Sequence, residues 1–442
     1  MATAGEGGGV RDESIRTLPG AGAAAIGPAL ESAIRGVLFV YILALPFRRL
    51  LFVERNGFIL LLVLLGFWCA ANRTHFFRRT PIDLPLLAFV GWVGLSIPFA
   101  TFPDYSVQEF GKLLQQILVF YAVLHFFHAE QYKARLLWSL ILVSLLISAY
   151  GIVQFFAMAG VLPALTKLTM IESFTGGEVW LTTYLVMTIP ISLAFMLFEE
   201  RPMERRIYGG ATALGVFCLL LTFSRAGLLA LLAEVGVMIS FVRQKLILGA
   251  ITVFCLAILG LQVLVIRYNV QAELGTPLGV RGVEKFSLLH RFDIWQFTTR
   301  KILLHPLVGI GYGKDNFRLA YGTSGQQTTP HFAPDAPAYA VLPAGSHNIF
   351  LDLALGSGIP AAMAFLWLLW RIVSTARQIY CRSDSAFAKA VALGVGAGVI
   401  GMAVRLSFDQ MLIGTLAIQF WVWIALCLSM YDPRGPEPYS CR

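Results

Sequence analysis

The feature that most constrains this chain is the recurrence, over nearly its whole length, of apolar runs with almost no charge. A helix needs about 20 apolar residues to cross the hydrocarbon layer of a bilayer. Runs of that order fall near 32–47, 57–71, 82–100, 107–127, 134–160, 179–198, 207–223, 226–242, 246–266, 347–375, 387–407 and 411–430. The expected fold is an all-α polytopic membrane protein of about 12 transmembrane helices. Only 13% of the residues are charged, against roughly 25% in a soluble domain, which leaves too little charge for a water-facing surface. A disordered chain and a secreted disulfide scaffold are excluded. The six cysteines are scattered without C-x-x-C spacing and support neither a disulfide framework nor a zinc site.

Orientation follows from the retention of Lys and Arg on the cytoplasmic side. Connections after even-numbered spans hold Arg73, Arg78, Arg79, Arg201, Arg205, Arg206, Arg243 and Lys245, and those on the other side hold fewer, among them Arg48, Arg55 and Lys112. Both termini are expected in the cytoplasm, and much of the net charge of +9 is a topology signal and not a nucleic-acid-binding surface. The expected organisation is a disordered tail over 1–31, spans over 32–266, one large external loop over 267–345, spans again over 346–431 and a cytoplasmic tail over 432–442.

The long loop is where function is expected, because unstructured connections beyond about 15 residues are uncommon without one. Its segment EKFSLLHRFDIWQFTTRKILLHP sets Phe286, Leu289, Phe292, Trp295 and Ile302 at three- and four-residue steps, an amphipathic helix that Pro306 stops. GIGYGKDNF is turn-rich, and 322–345 is rich in Gly, Pro and Thr, consistent with a mobile lid.

Three positions stand out chemically. Arg225, in LTFSRAGLLA, turns between two apolar runs; a guanidinium at a membrane face marks a site or snorkels as a helix anchor. Arg291, in HRFDIW, lies on the amphipathic helix, where a solvated face is the plainer account. His347, in GSHNIFLDLALGSGIPA, follows Ser346, a good N-cap, so it is expected in the first turn of a membrane-entering helix. There the helix dipole disfavours imidazolium and favours a bound anion, although a lone histidine also serves simply as a hydrogen-bonding residue. Gly356, Gly358 and Pro360 break that helix further on. The external carboxylates Asp293, Asp315, Asp352 and Asp409 are isolated and no D-x-D pair occurs, so spacing supports no metal bridging phosphates. His125 and His128 form H-x-x-H without a third ligand in view and are read as interfacial. There is no P-loop, Rossmann or G-x-S-x-G pattern, hence no ATP site.

S-R-A-G between apolar runs, H-R-F-D-I-W-Q-F followed by HPLVGIGYG, and S-H-N-I-F-L-D-L together, over about 207–360, resemble the O-antigen ligase (WaaL) family of the O-antigen ligase/polymerase superfamily. The resemblance implies a GT-C-like glycosyltransferase of the bacterial inner membrane whose site faces the periplasm. It would move a glycan from undecaprenyl diphosphate to a sugar hydroxyl of lipid A-core, by inverting, metal-independent transfer without a cofactor. Arg225 and Arg291 match the family's arginines and would hold the diphosphate, with His347 as base. Arg405 and Lys112 are secondary candidates for the same cavity, and Ser224 and Asn348 flank the motif residues. O-antigen polymerases and protein O-oligosaccharyltransferases share these blocks. A transporter of a dozen spans would instead show internal repeats, and none is evident.

Overall fold

The structure, a computed structural model, describes residues 21–159, 171–242, 248–253, 255–257, 260, 288–321, 345–410 and 412–432. Among these residues it is helical, with no strand. The expected lid over 322–344, the start of the long loop and the tail over 433–442 lie outside the described residues.

In chain order the helices are α1 (Ala21–Ala44), α2 (Leu51–Asn72), α3 (Asp83–Ser96), α4 (Pro103–Phe126), α5 (Glu130–Ala159), α6 (Glu178–Phe198), α7 (Pro202–Leu221) and α8 (Arg225–Phe241). A helical stretch at Leu248–Ala257 follows. Then come α9 (Leu288–Leu304), α10 (Asn316–Tyr321), α11 (Ile349–Ser357), α12 (Ile359–Arg382), α13 (Ala386–Leu406) and α14 (Gly414–Leu428). Six of them (α1, α2, α5, α6, α12 and α13) are long and apolar enough to cross a membrane, and three apolar stretches are shorter. The chain is therefore a polytopic membrane protein.

The core is built around α6, which is buried almost throughout. It packs on α7 and α13, and α13 packs in turn on α8 and α12. Close approach of α13 depends on small residues, as is usual where no water drives helices together. A Cβ on Gly394 would stand 2.8 Å from the Ile191 Cα, and one on Gly398 would meet the Pro190 ring. Two buried hydroxyls of α6 are met across helices: Ser144 donates to Thr188 at 3.0 Å and Thr212 to Ser192 at 3.1 Å.

Three expectations are corrected. Helix α1 begins at Ala21, inside the expected tail, because an Ala-rich run carries high helix propensity with little hydropathy. The expected span 347–375 is two helices: α11 ends at Gly358, whose φ of 86° a side chain rarely adopts, and α12 starts afresh. The glycine and proline breakers had signalled this interruption. The freed backbone groups are taken up by the 306–311 segment: the Ile359 N–H donates to Pro306 O at 2.8 Å, the Ile310 N–H to Leu355 O at 2.9 Å and the Gly311 N–H to Gly356 O at 2.7 Å. This is how irregular backbone is tolerated next to a membrane span. Lastly, α9 forms where expected, but its buried stripe is Ile294, Phe297, Thr298 and Ile302, seated against α11, while Phe292 is exposed.

Candidate functional site

Three arginines meet at one end of the bundle. Helix α7 ends in a sharp reversal in which Phe223 takes a left-handed conformation (φ 53°) and the Ser224 side chain accepts from the Gly227 N–H at 3.2 Å, capping α8. A Cβ on Gly227 would stand 2.7 Å from Thr182, so the glycine lets the first turn of α8 press on α6. Arg225 is thereby fixed as the first residue of α8 at the bundle end. It makes no hydrogen bond or ion pair to another described residue.

Arg291 arrives from α9. Its Nη1 donates to the Phe408 carbonyl at 2.7 Å, and the guanidinium lies 6.0 Å from the Phe408 ring. Arg405, at the end of α13, is buried and pairs with Asp409 at 3.2 Å, its Nε without a protein partner. Burial lowers the Arg291 pKa, Asp409 opposes this, and the like charges of Arg405 and Arg225 push it lower still. Arg291 therefore lies within electrostatic reach of Arg225, Arg405 and Asp409, and Asp409 is paired with Arg405. Glu178, first residue of α6, lies within electrostatic reach of Arg405 and Asp409. An anion placed here would relieve the repulsion and bind guanidinium forks by charge-assisted hydrogen bonds.

His347 sits beside this group, in a place that differs from expectation. The cap of α11 is Asn348, not Ser346: its Oδ1 accepts from the Phe350 N–H at 3.0 Å and the Leu351 N–H at 3.3 Å. His347 lies one residue before the cap in a left-handed conformation, φ 55°, so the helix-dipole argument does not apply to it as a first-turn residue. Its neighbours hold this strained backbone: Trp295 Nε1 donates to Ser346 O at 3.0 Å, and the Ser346 N–H donates to Asp352 Oδ1 at 2.9 Å. Such outliers persist only where surroundings over-determine them, and they concentrate at functional sites. Asp352 is half-buried, with its Oδ2 buried and unpartnered. Burial raises its pKa to about 6, which the Ser346 hydrogen bonds oppose and Asp409 adds to.

Of the residues picked from sequence, Arg225, Arg291 and Arg405 converge, with Ser224 and Asn348 as caps that position Arg225 and His347. Lys112 does not join them. It pairs with Glu109 at 2.5 Å and lines a separate cavity of 670 Å³. Sequence reasoning missed Asp409 and Glu178; the one-turn spacing of Arg405 and Asp409 at a helix end was the available signal. His125 packs on Trp68 and Phe126, and His128 bonds the His125 carbonyl, as suits interfacial residues. Among the described residues no cluster of three His, Cys, Asp or Glu has metal-binding geometry.

Residues 210–366 match the family model described as O-antigen ligase. That segment holds Arg225, Arg291, the 306–311 strap and His347. Comparison with curated proteins finds no match.

Proposed function

Starting from membership of the O-antigen ligase/polymerase superfamily, we propose that this chain is an O-antigen ligase. It transfers a glycan from undecaprenyl diphosphate to a sugar hydroxyl of lipid A-core at the periplasmic face of the bacterial inner membrane. The observation that carries the reading is that Arg291 lies within electrostatic reach of Arg225 and Arg405, the three coming from separate elements, with Asp409 paired to Arg405. A diphosphate leaving group needs that charge arrangement. The chain crosses the membrane about 12 times in a GT-C-like arrangement. With the N-terminus inside, alternate crossings bring the ends bearing Arg225, Arg405 and the start of α6 to the outer face.

In this mechanism the donor's diphosphate oxygens lie on the guanidiniums. As the glycosyl carbon–oxygen bond breaks, its electron pair passes to the departing diphosphate, and the arginines stabilise the charge that develops. The acceptor hydroxyl attacks the opposite face of the sugar, which inverts the anomeric centre, and His347 takes the hydroxyl proton. Asp409 holds Arg405 in place and offsets part of the repulsion among the guanidiniums before the donor binds.

Deleting the gene tests the reading. The expected result is loss of the polysaccharide ladder from lipopolysaccharide, with full-length lipid-linked glycan accumulating. A surviving band with a single repeat unit would make the chain a polymerase, and loss of glycoprotein with an intact ladder would make it a protein glycosyltransferase.

A further inference from the structure

The 670 Å³ cavity that Lys112 lines has a composition of its own. Arg48, Arg55, Lys112 and Lys314 stand over it against two carboxylates, Glu54 and Glu109. Both carboxylates are engaged: Glu109 pairs with Lys112, and Glu54 accepts from Gln115 Nε2 at 3.0 Å. Arg48 is anchored by donating to Gly176 O at 2.7 Å. Arg55 and Lys314 also line the cavity and make no hydrogen bond or ion pair to another described residue.

Below this rim the wall is apolar, formed by Leu51, Phe58, Ile59, Leu416 and Ile418. Phe58 and Ile59 belong to α2, which buries only Leu61, Leu65 and Trp68 and packs mainly on α1. The cavity therefore borders a peripheral helix whose apolar surface is open to hydrocarbon. A basic rim above such a wall fits a molecule with anionic groups at its head and acyl chains below.

The cavity also leads toward the backbone beside His347. A smaller one of 80 Å³ shares Glu109, Lys112 and Lys314 with it and reaches Asp352 and Gln410, where Asp352 Oδ2 and Gln410 Oε1 are buried without partners. Gln410 directly follows Asp409, and Asp352 holds the backbone beside His347. A head group seated on Arg55 and Lys314 can thus extend a sugar to the base.

We propose that this cavity is the acceptor site, binding a lipid-anchored glycan through phosphates on Arg55 and Lys314 with its acyl chains along α2. The proposal rests on the ligase reading for the acceptor's identity. Its test therefore includes a binding measurement that needs no turnover.

Purified protein in nanodiscs is titrated, without donor, with lipid A-core and with the same glycolipid after removal of its phosphates. Arg55→Ala/Lys314→Ala is expected to bind the phosphorylated probe at least about tenfold more weakly than wild type, the loss expected of one charge-assisted contact. Wild type and variant should bind the dephosphorylated probe alike. In turnover the variant should raise the acceptor KM and leave the donor KM unchanged. Equal binding of the phosphorylated probe by wild type and variant would overturn the proposal, as would a raised donor KM. So would equally tight wild-type binding of phosphatidylglycerol, or complete competition by millimolar inorganic phosphate, since either would reduce the site to a general anion surface. If binding behaves as expected and no transfer to lipid A-core occurs, the ligase reading fails and the cavity assignment stands.

Discussion

The Arg405–Asp409 pair allows a quantitative prediction. The two charges are 3.2 Å apart with side chains only 4% and 14% exposed. At an effective dielectric of about 20 their attraction is about 5 kcal/mol, most of which offsets the loss of water around both groups. The pair is then worth little in net stability, yet removing one member strands the other, at about 3–5 kcal/mol. The two single variants should not be equal. Arg405→Ala leaves Asp409 with Arg291 nearby, whereas Asp409→Ala leaves Arg405 without its ion-pair partner while Arg291 remains within electrostatic reach. Asp409→Ala should therefore be the more damaging. The double variant strands neither partner and should cost less than either single one, a coupling of at least about 3 kcal/mol. Millimolar pyrophosphate should restore more stability to Asp409→Ala than to wild type, because it supplies the missing negative charge. Thermal unfolding of the detergent-purified variants reads all of this. Additive single losses, or greater damage from Arg405→Ala, would refute the reasoning.

Other consequences are separable from that one. Asn348→Ala should cost about 1 kcal/mol by uncapping α11, and it should reduce turnover by more than that loss accounts for, because the same side chain fixes the backbone beside His347; wild-type turnover at saturating substrates would contradict this. Asp352 has a folded pKa of about 6, raised chiefly by burial from 3.8, so the folded chain holds a proton that the unfolded chain releases between those values. Its contribution accordingly favours folding as pH falls from about 7 to about 4 and penalises it above, by up to about 3 kcal/mol. The melting-temperature gain of Asp352→Asn over wild type should be larger at pH 8 than at pH 5, and a pH-independent offset would sink the assignment. Because guanidiniums carry the leaving-group charge in the proposed mechanism, turnover should persist in excess EDTA; activity lost and then restored by magnesium or manganese would show that a divalent ion takes part.

The six helices long and apolar enough to cross a membrane were legible in the sequence because one physical quantity, apolar length, dictates them, and the interruption at Gly358 was legible because Gly356, Gly358 and Pro360 disfavour a continuous helix. The start of α1 was not, since its alanines favour helix without raising hydropathy. The stripe of α9 was misjudged because Phe292 and Trp295 outweigh Thr298 in apolar size, while Thr298 is the residue that tertiary packing buries, its hydroxyl satisfied by the Ile294 carbonyl at 2.7 Å. Ser346 and Asn348 are equally good caps by residue type, and the choice between them depends on the conformation of His347, which Trp295 and Asp352 impose from elsewhere in the chain. Arg225 and Arg291 were found through short motifs. Asp409 escaped because its partner is an arginine one turn away, whereas the search for carboxylates was for pairs that hold metal.

The central claim is that this arginine group and His347 move a glycan from a lipid diphosphate onto a separate glycolipid. The most direct measurement combines purified protein, undecaprenyl-diphosphate-linked glycan and lipid A-core, with products resolved by mass. The account predicts glycan on lipid A-core and stoichiometric release of undecaprenyl diphosphate. Arg225→Ala and Arg291→Ala should lose donor use, and His347→Gln should bind donor yet transfer about 10²–10⁴-fold more slowly. Glycan extended on the donor itself, or transfer by His347→Gln at the wild-type rate, would contradict it.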